Sequence, residues 1–274
     1  MISFPNCKIN LGLYVTSRRP DGYHELETIF YPIPLEDSLE IVPASTLHTD
    51  CTLQLFGNKI ECNTDNNLVI KAYRILQKEY ALPPLDISLY KQIPSGAGLG
   101  GGSSDATFML KLLNDYCQLG LSVTQLENYA TQLGADCAFF VRNTPMLARG
   151  IGNIFSPINL SLSGYKIVIV KPDIFVSTRE AFSLIKPYTP EHDLSETIAL
   201  PINQWRKYLQ NDFERSVFPQ YPEIASIKER LYQNGAIYAS MSGSGSSLYG
   251  IFPKEYEDDP AAFKNLFYFC GVLK

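Results

Sequence analysis

At 274 residues, 45% hydrophobic and 19% charged, the chain is long enough for a sizeable core and for two lobes, and its composition argues against disorder. Its formal charge of −5 argues against a broad nucleic-acid or anionic-membrane surface, which needs clustered Lys and Arg, but leaves room for a phosphorylated small molecule held by local cations. Apolar runs such as Ile167 to Val170 fall far short of the ~20 residues of a spanning helix, so no membrane segment is expected.

In chain order, Ile9 to Val15 and Glu25 to Pro34 alternate and are rich in aromatic and β-branched residues, which predicts strands. Between them lies Arg18-Arg19-Pro20-Asp21-Gly22-Tyr23-His24, whose Pro-Asp-Gly core is a turn signal. Further short strands are expected at Ser38–Val42, Cys51–Phe56 and Leu85–Gln92. From Asn67 the spacing of Leu68, Ala72, Ile75 and Leu76 becomes helical, with Asn66 or Asn67 available as a cap. Ala106, Met109, Leu110, Leu113 and Cys117 mark a second helix stopped near Gly120. Ser122 and Gln125 fit a capping box for a third that ends at Gly134. Tyr165 to Lys171 reads as a buried strand. Helices follow at Trp205–Leu209 and Ile224–Asn234, and strands near Ile237–Ser240 and Ser247–Phe252. This order predicts an α+β protein of two lobes, 1–162 and 163–274.

The most informative stretch is Pro94-Ser95-Gly96-Ala97-Gly98-Leu99-Gly100-Gly101-Gly102-Ser103-Ser104-Asp105-Ala106. Five glycines in the seven positions 96–102 let the backbone approach a ligand with no Cβ in the way. Because the loop runs straight into a helix, its N–H groups and the helix dipole favour an anion there, and Ser103 and Ser104 add hydroxyl donors. The run is neither a Gly-Lys-Ser/Thr loop nor a G-x-G-x-x-G turn in a βαβ unit. A flexible linker with Ser104 as an ordinary cap is the bland alternative, but a linker would not join an apolar strand to a strongly periodic helix.

The six cysteines, at 7, 51, 62, 117, 137 and 270, include no C-x-x-C pair, and His48 and His192 fall in loop-like segments. Reduced thiols are expected, with neither zinc nor disulfide staples. No basic stretch leading into an apolar one follows Met1, so the expected compartment is the cytoplasm.

Pro94-x-x-x-Gly98-Leu99-Gly100, followed by Gly101, Gly102, Ser103, Ser104 and Ala106, resembles the phosphate loop of the GHMP kinases, named for galactokinase, homoserine kinase, mevalonate kinase and phosphomevalonate kinase. The triple glycine, the opening Lys8-Ile9-Asn10-Leu11, and Arg19-Pro20-Asp21-Gly22-Tyr23-His24-Glu25-Leu26 resemble the branch whose acceptor is a cytidine-diphosphate-linked methylerythritol. Ser242-Gly243-Ser244-Gly245 looks like the family's third motif, with Ser where many members have Thr or Ala. The resemblance spans nearly the whole chain, with the motifs in the family's order.

That resemblance implies a two-lobed fold, with a lobe like ribosomal protein S5 followed by a ferredoxin-like lobe and the active site in the cleft between them. It implies ATP as co-substrate with Mg2+ as its counter-ion, and transfer to the 2-hydroxyl of the acceptor on the methylerythritol phosphate route to isoprenoids. It makes Asp136 the acid that orients the acceptor hydroxyl and Lys8 its cationic partner. Tyr23, His24 and Phe182 become cytosine recognisers, Thr178 a neighbour of the transferred group, and Asn10 a contact to polyol or phosphate. ATP would lie on Pro94 to Ser104, with Asn67 and Leu68 candidates for the adenine pocket. No Glu matches the metal-binding Glu of some relatives, so the metal's protein ligands stay open beyond the Ser103 or Ser104 hydroxyl. Read without the resemblance, Asp136 would cap a short helix, Lys8 would be a solvated strand residue, Tyr23 a turn tyrosine and Phe182 a core residue. A homoserine- or mevalonate-type kinase and a non-catalytic sensor on the same fold are the alternatives. The Asp-Gly-Tyr-His motif speaks against the first, since neither substrate carries a base, and the retained loop and acid speak against the second. Monomer and homodimer are equally compatible with the sequence.

Overall fold

The computed structural model describes residues 1–44, 50–59, 63–188 and 190–274, so His48 and Cys62 lie outside the described residues. Its strands are β1 Ile2–Ser3, β2 Asn6–Arg18, β3 His24–Glu36, β4 Ser38–Pro43, β5 Cys51–Gly57, β6 Leu85–Lys91, β7 Met146–Arg149, β8 Ile154–Pro157, β9 Lys166–Lys171, β10 Tyr238–Met241, β11 Leu248–Phe252 and β12 Phe267–Val272. Its helices are α1 Leu68–Gln77, α2 Gly101–Tyr116, α3 Val123–Leu133, α4 Phe139–Arg142, α5 Thr178–Ser183, α6 Leu194–Ile198, α7 Ile202–Tyr208, α8 Phe213–Val217 and α9 Pro222–Gln233. Two compact units interleave along the chain. One comprises Met1–Cys7, Leu35–Ser95 and Gly100–Thr144, the other Lys8–Pro34, Gly96–Leu99 and Pro145–Lys274. Among the described residues no helix is long and apolar enough to cross a membrane.

The first unit holds a sheet in the order β1-β4-β6-β5, in which β6 runs antiparallel to β4 and parallel to β5. Strand β6 shows the two-residue period of a half-buried strand: Leu85, Ile87, Leu89 and Lys91 are buried, and the residues between them are not. The apolar stripe of α1 (Val69, Ile70, Tyr73, Leu76) and that of α2 (Met109, Leu110, Leu113) are buried, and the two helices pack on each other and against sheet strands. Asn67 caps α1 by accepting from the Val69 N–H, and Ser122 with Gln125 closes a capping box on α3, both as the sequence predicts.

The polar member of that β6 face matters for the site. Lys91 is 2% exposed, and its Nζ is 2.6 Å from Asp105 Oδ2 on α2 and bonded to Asp37. The other Asp37 oxygen accepts from the Gln92 and Ile93 amides at 2.6 and 2.8 Å. One ammonium and two carboxylates thus tie the end of β6, the β3–β4 turn and the second turn of α2 together just before the glycine run. Buried charges cost several kcal/mol each unless paired, so each member of this cluster depends on its partners and the cluster as a whole is weak evidence of net stabilisation. Burial pushes the Asp105 carboxyl up to about 7, against the pull of Lys91. Between the ordinary carboxylate pKa of ~3.9 and that value the folded chain keeps a proton that the unfolded chain has released, so this group's contribution to stability falls as pH rises. The Tm of Asp105→Asn relative to the unsubstituted chain should therefore climb by a few °C between pH 5 and pH 8. A pH-independent difference in calorimetric scans would refute this reading of the cluster.

In the second unit, β10-β11-β9-β12 form an antiparallel sheet with β9 inside it. Ile167 to Val170 are all fully buried, which is why this strand reads as a continuous apolar run rather than an alternating one. Val168, Val170, Ile224, Ile227, Leu231 and Phe252 join one core, with α9 packed against β10 and β11. A second sheet, β2-β3-β7-β8, carries the N-terminal motif on β2 and the Arg19–His24 turn between β2 and β3.

Candidate active site

In the second unit three motifs distant in sequence form one hydrogen-bonded cluster. Lys8 on β2 is 3% exposed, not a solvated strand residue. Its Nζ lies 2.8 Å from Asn10 Oδ1, 3.4 Å from the Gly98 carbonyl and 4.4 Å above the centre of the Phe30 ring. Its backbone N–H also donates to the Leu99 carbonyl at 3.0 Å. Asn10 in turn donates to Thr28 Oγ1 at 3.0 Å, so its amide holds the lysine rather than standing open. The Ser242 hydroxyl donates to the same Gly98 carbonyl at 2.8 Å, and the Ser247 N–H to the Ala97 carbonyl at 3.3 Å. Gly98 has φ +75°, and a Cβ there would sit 2.0 Å from the Ser242 carbonyl oxygen. Only glycine lets loop and third motif approach this closely. The Ser244 hydroxyl is 3.2 Å from Thr178 Oγ1, which brings the first residue of α5 to the same motif.

In the first unit the other half of the glycine run is already helical. Gly100, at φ +70°, is the N-cap residue and α2 starts at Gly101, so Ser103 and Ser104 sit in its first turn. Ser104 is fully buried and donates to the Asn6 carbonyl at 2.6 Å, which removes it as an ordinary cap and leaves Ser103 the hydroxyl with exposed surface. The turn carrying Asp136 packs on this helix. Thr107 Oγ1 donates to the Cys137 carbonyl at 2.8 Å, Lys111 Nζ to the Phe140 carbonyl at 2.6 Å, and a Cβ on Gly134 would lie 3.9 Å from Ser103 Oγ. The short helix α4 is capped at Ala138 with no side-chain bond, so Asp136 does not serve as its N-cap residue. Leu68 lies beside the loop, its Cδ1 3.9 Å from where a Gly102 Cβ would be, whereas Asn67 spends its side-chain oxygen on the α1 cap.

The Arg19–His24 turn is braced by Arg19, which pairs with Asp21 at 2.9 Å and Glu25 at 2.7 Å, and by the Tyr23 N–H donating to Asp21 Oδ1 at 3.1 Å. This leaves Tyr23 62% exposed at the tip. His24 stacks on Phe182, ring centres 4.7 Å apart and planes 16° from parallel, while Phe213 meets Phe182 edge-on at 4.8 Å. Burial, and secondarily Arg18, pulls the His24 imidazole below its ordinary pKa, so at neutral pH the ring presents one donor and one acceptor. Sequence reasoning missed Asn211, whose amide donates to the Met241 and Gly243 carbonyls on both sides of Ser242. Nothing in Gln210-Asn211-Asp212 hints at a target about thirty residues away.

As to a metal, among the described residues no group of three His, Cys, Asp or Glu could hold one. The Ser103 hydroxyl and the Asp136 carboxyl group offer the oxygen ligands that magnesium takes, and suit an ion carried chiefly by nucleotide phosphates.

Comparison with known proteins agrees with this geometry. Residues 67–144 match the family model described as "GHMP kinases N terminal domain", and residues 196–266 match "GHMP kinases C terminal". The 4-diphosphocytidyl-2-C-methyl-D-erythritol kinase of Bacteroides thetaiotaomicron is 62% identical over 93% of each chain, and that of Bacteroides fragilis is 58% identical over 100% of each. A crystal structure of 4-(cytidine 5'-diphospho)-2C-methyl-D-erythritol kinase superposes with a TM-score of 0.83 at 30% identity, covering 100% of this chain and 99% of that one. The chain belongs to the GHMP kinases, a family of ATP-dependent phosphotransferases, in the branch of the 4-diphosphocytidyl-2-C-methyl-D-erythritol kinases.

Proposed function

We propose that the chain transfers the γ-phosphoryl group of ATP to the 2-hydroxyl of 4-diphosphocytidyl-2-C-methyl-D-erythritol, giving the 2-phosphate and ADP, in the cytoplasm, on the non-mevalonate route to isopentenyl diphosphate. The observation that carries this reading is the joining of Lys8, Gly98 and Ser242 in one buried hydrogen-bonded cluster. Backbone amides of the loop and the N-terminus of α2 hold the triphosphate tail, and the Lys8 ammonium offsets charge that grows as the phosphoryl group leaves. Magnesium supplies charge neutralisation on the phosphates when bound.

Asp136 aligns the acceptor hydroxyl. A carboxylate is a feeble base toward an alcohol, so it takes the proton late, in a loose transition state, and acts chiefly by positioning. Thr178, held at Ser244, stands beside the transferred group, and Asn10 acts by fixing Lys8. The neutral His24 imidazole matches a cytosine edge, which offers both a donor and acceptors, and the Phe182 face and Tyr23 supply stacking surface. Base stacking contributes about 1–3 kcal/mol per ring elsewhere. Tyr23→Ala should raise KM for the cytidine substrate about tenfold or more and leave KM for ATP near its original value. Equal effects on the two constants would place Tyr23 outside the base pocket. The function itself is tested by steady-state turnover with the cytidine-linked acceptor, mevalonate and homoserine side by side. Preferred turnover of the first is expected, and preference for either of the others would overturn the assignment.

A further inference from the structure

We infer that Asn211 is a positioning residue for the nucleotide, acting by clamping the third motif against the phosphate loop; this rests on the reading of residues 96–104 as the triphosphate cradle. Asn211 is 1% exposed. Its Nδ2 donates to the Met241 carbonyl and to the Gly243 carbonyl, each at 2.8 Å, while its Oδ1 accepts from the Phe213 N–H at 3.0 Å. The residue between those two carbonyls, Ser242, is the one whose own carbonyl oxygen blocks any side chain at Gly98 and whose hydroxyl donates to the Gly98 carbonyl. Gly243 follows suit, its missing Cβ position lying 3.2 Å from the Gly98 Cα. The path of the loop at Gly98 is therefore set by where the 241–243 backbone stands, and one buried amide bonds that backbone on both sides of Ser242. Buried donors and acceptors left unmatched are strongly unfavourable, so the amide cannot turn without breaking both bonds.

Asn211→Asp separates this role from general packing. It keeps an oxygen for the Phe213 amide, and hence the Phe182 support behind it, but replaces both donors with an oxygen facing two carbonyls. The test is calorimetric binding of a non-hydrolysable ATP analogue with Mg2+, alongside Tm and KM for the acceptor. Asn211→Ser, which is uncharged but shorter, serves if the aspartate variant does not fold. Asp212→Ala is the comparison: it loses the acceptor for the Val15 N–H, 2.8 Å away, from the neighbouring position. We expect analogue affinity to fall at least tenfold in Asn211→Asp and less in Asn211→Ser, acceptor KM to hold, and Asp212→Ala to lose Tm without losing affinity. Unchanged affinity in a folded Asn211 variant, or an equal loss in Asp212→Ala, would overturn the inference. If the unsubstituted chain binds the analogue but phosphorylates no acceptor, only the acceptor assignment falls; if it does not bind the analogue, both fall.

Discussion

Asp136→Asn should lower kcat by at least ~10²-fold while leaving ATP affinity within about twofold. The substitution keeps the shape of the side chain and one oxygen acceptor. It removes the negative charge that, on the proposed mechanism, draws the acceptor hydroxyl into line and finally takes its proton. The turn that carries Asp136 is held by Thr107 and Lys111 through the Cys137 and Phe140 carbonyls, bonds that the substitution leaves in place. On the same proposal the nucleotide's phosphates meet loop amides, which the change does not touch. The diagnostic is thus a fall in kcat with little movement of KM for ATP, since an interaction made only in the transition state leaves ground-state binding alone. Unaltered turnover would remove Asp136 from the mechanism.

Gly98→Ala should be nearly as damaging by the opposite route, lowering kcat/KM for ATP by at least ~10²-fold. An alanine pays about 1–2 kcal/mol for the left-handed backbone alone. Its Cβ would also lie 2.0 Å from the Ser242 carbonyl oxygen and 2.8 Å from the carbon behind it. Both are backbone atoms that cannot swing aside, so the loop must leave the third motif, and with it the Lys8 and Ser242 bonds to the Gly98 carbonyl weaken. Gly120→Ala is the control, because Gly120 has φ +68° but nothing within 4 Å of a Cβ. It should cost a similar backbone strain and leave ATP kinetics unchanged. Normal ATP kinetics in Gly98→Ala would show that the close approach has no bearing on the nucleotide.

Much of the local structure could be read in the sequence because its causes are local. Asn67 and the Ser122–Gln125 box announce their helices through side chains that bond the adjacent backbone. Strands β2 and β3 announce themselves by alternation and by the Pro-Asp-Gly turn between them. The start of α2 was less legible. Three consecutive glycines read as loop, yet Gly101 and Gly102 are helical; at Gly101 the glycine answers to packing, because the space a Cβ would need is taken by Ile93, with the Lys91 ammonium 3.4 Å off. Strand β12 went unread since Phe267 to Cys270 are all half-buried on an edge, with no alternation to betray them. The short helices α5, α6 and α8 have too few turns for a period to show.

The site was legible as motifs and not as contacts. Lys8, Gly98 and Ser242 could each be singled out by resemblance, but the bond from Ser242 to Gly98 spans 144 positions, a separation no spacing rule reaches. Lys91, Asp37 and Asp105 look like ordinary surface charges in sequence, and only folding shows that they are buried together. Asn211 is invisible for the same reason: its partners are carbonyls, which every residue has.

The most direct test of the kinase reading is to incubate the protein with ATP, Mg2+ and 4-diphosphocytidyl-2-C-methyl-D-erythritol and follow the mixture by phosphorus NMR. A new phosphomonoester resonance coupled to the carbon skeleton at the 2-position should grow as ADP appears. ADP without that resonance, or a phosphate placed on another hydroxyl, would contradict the account.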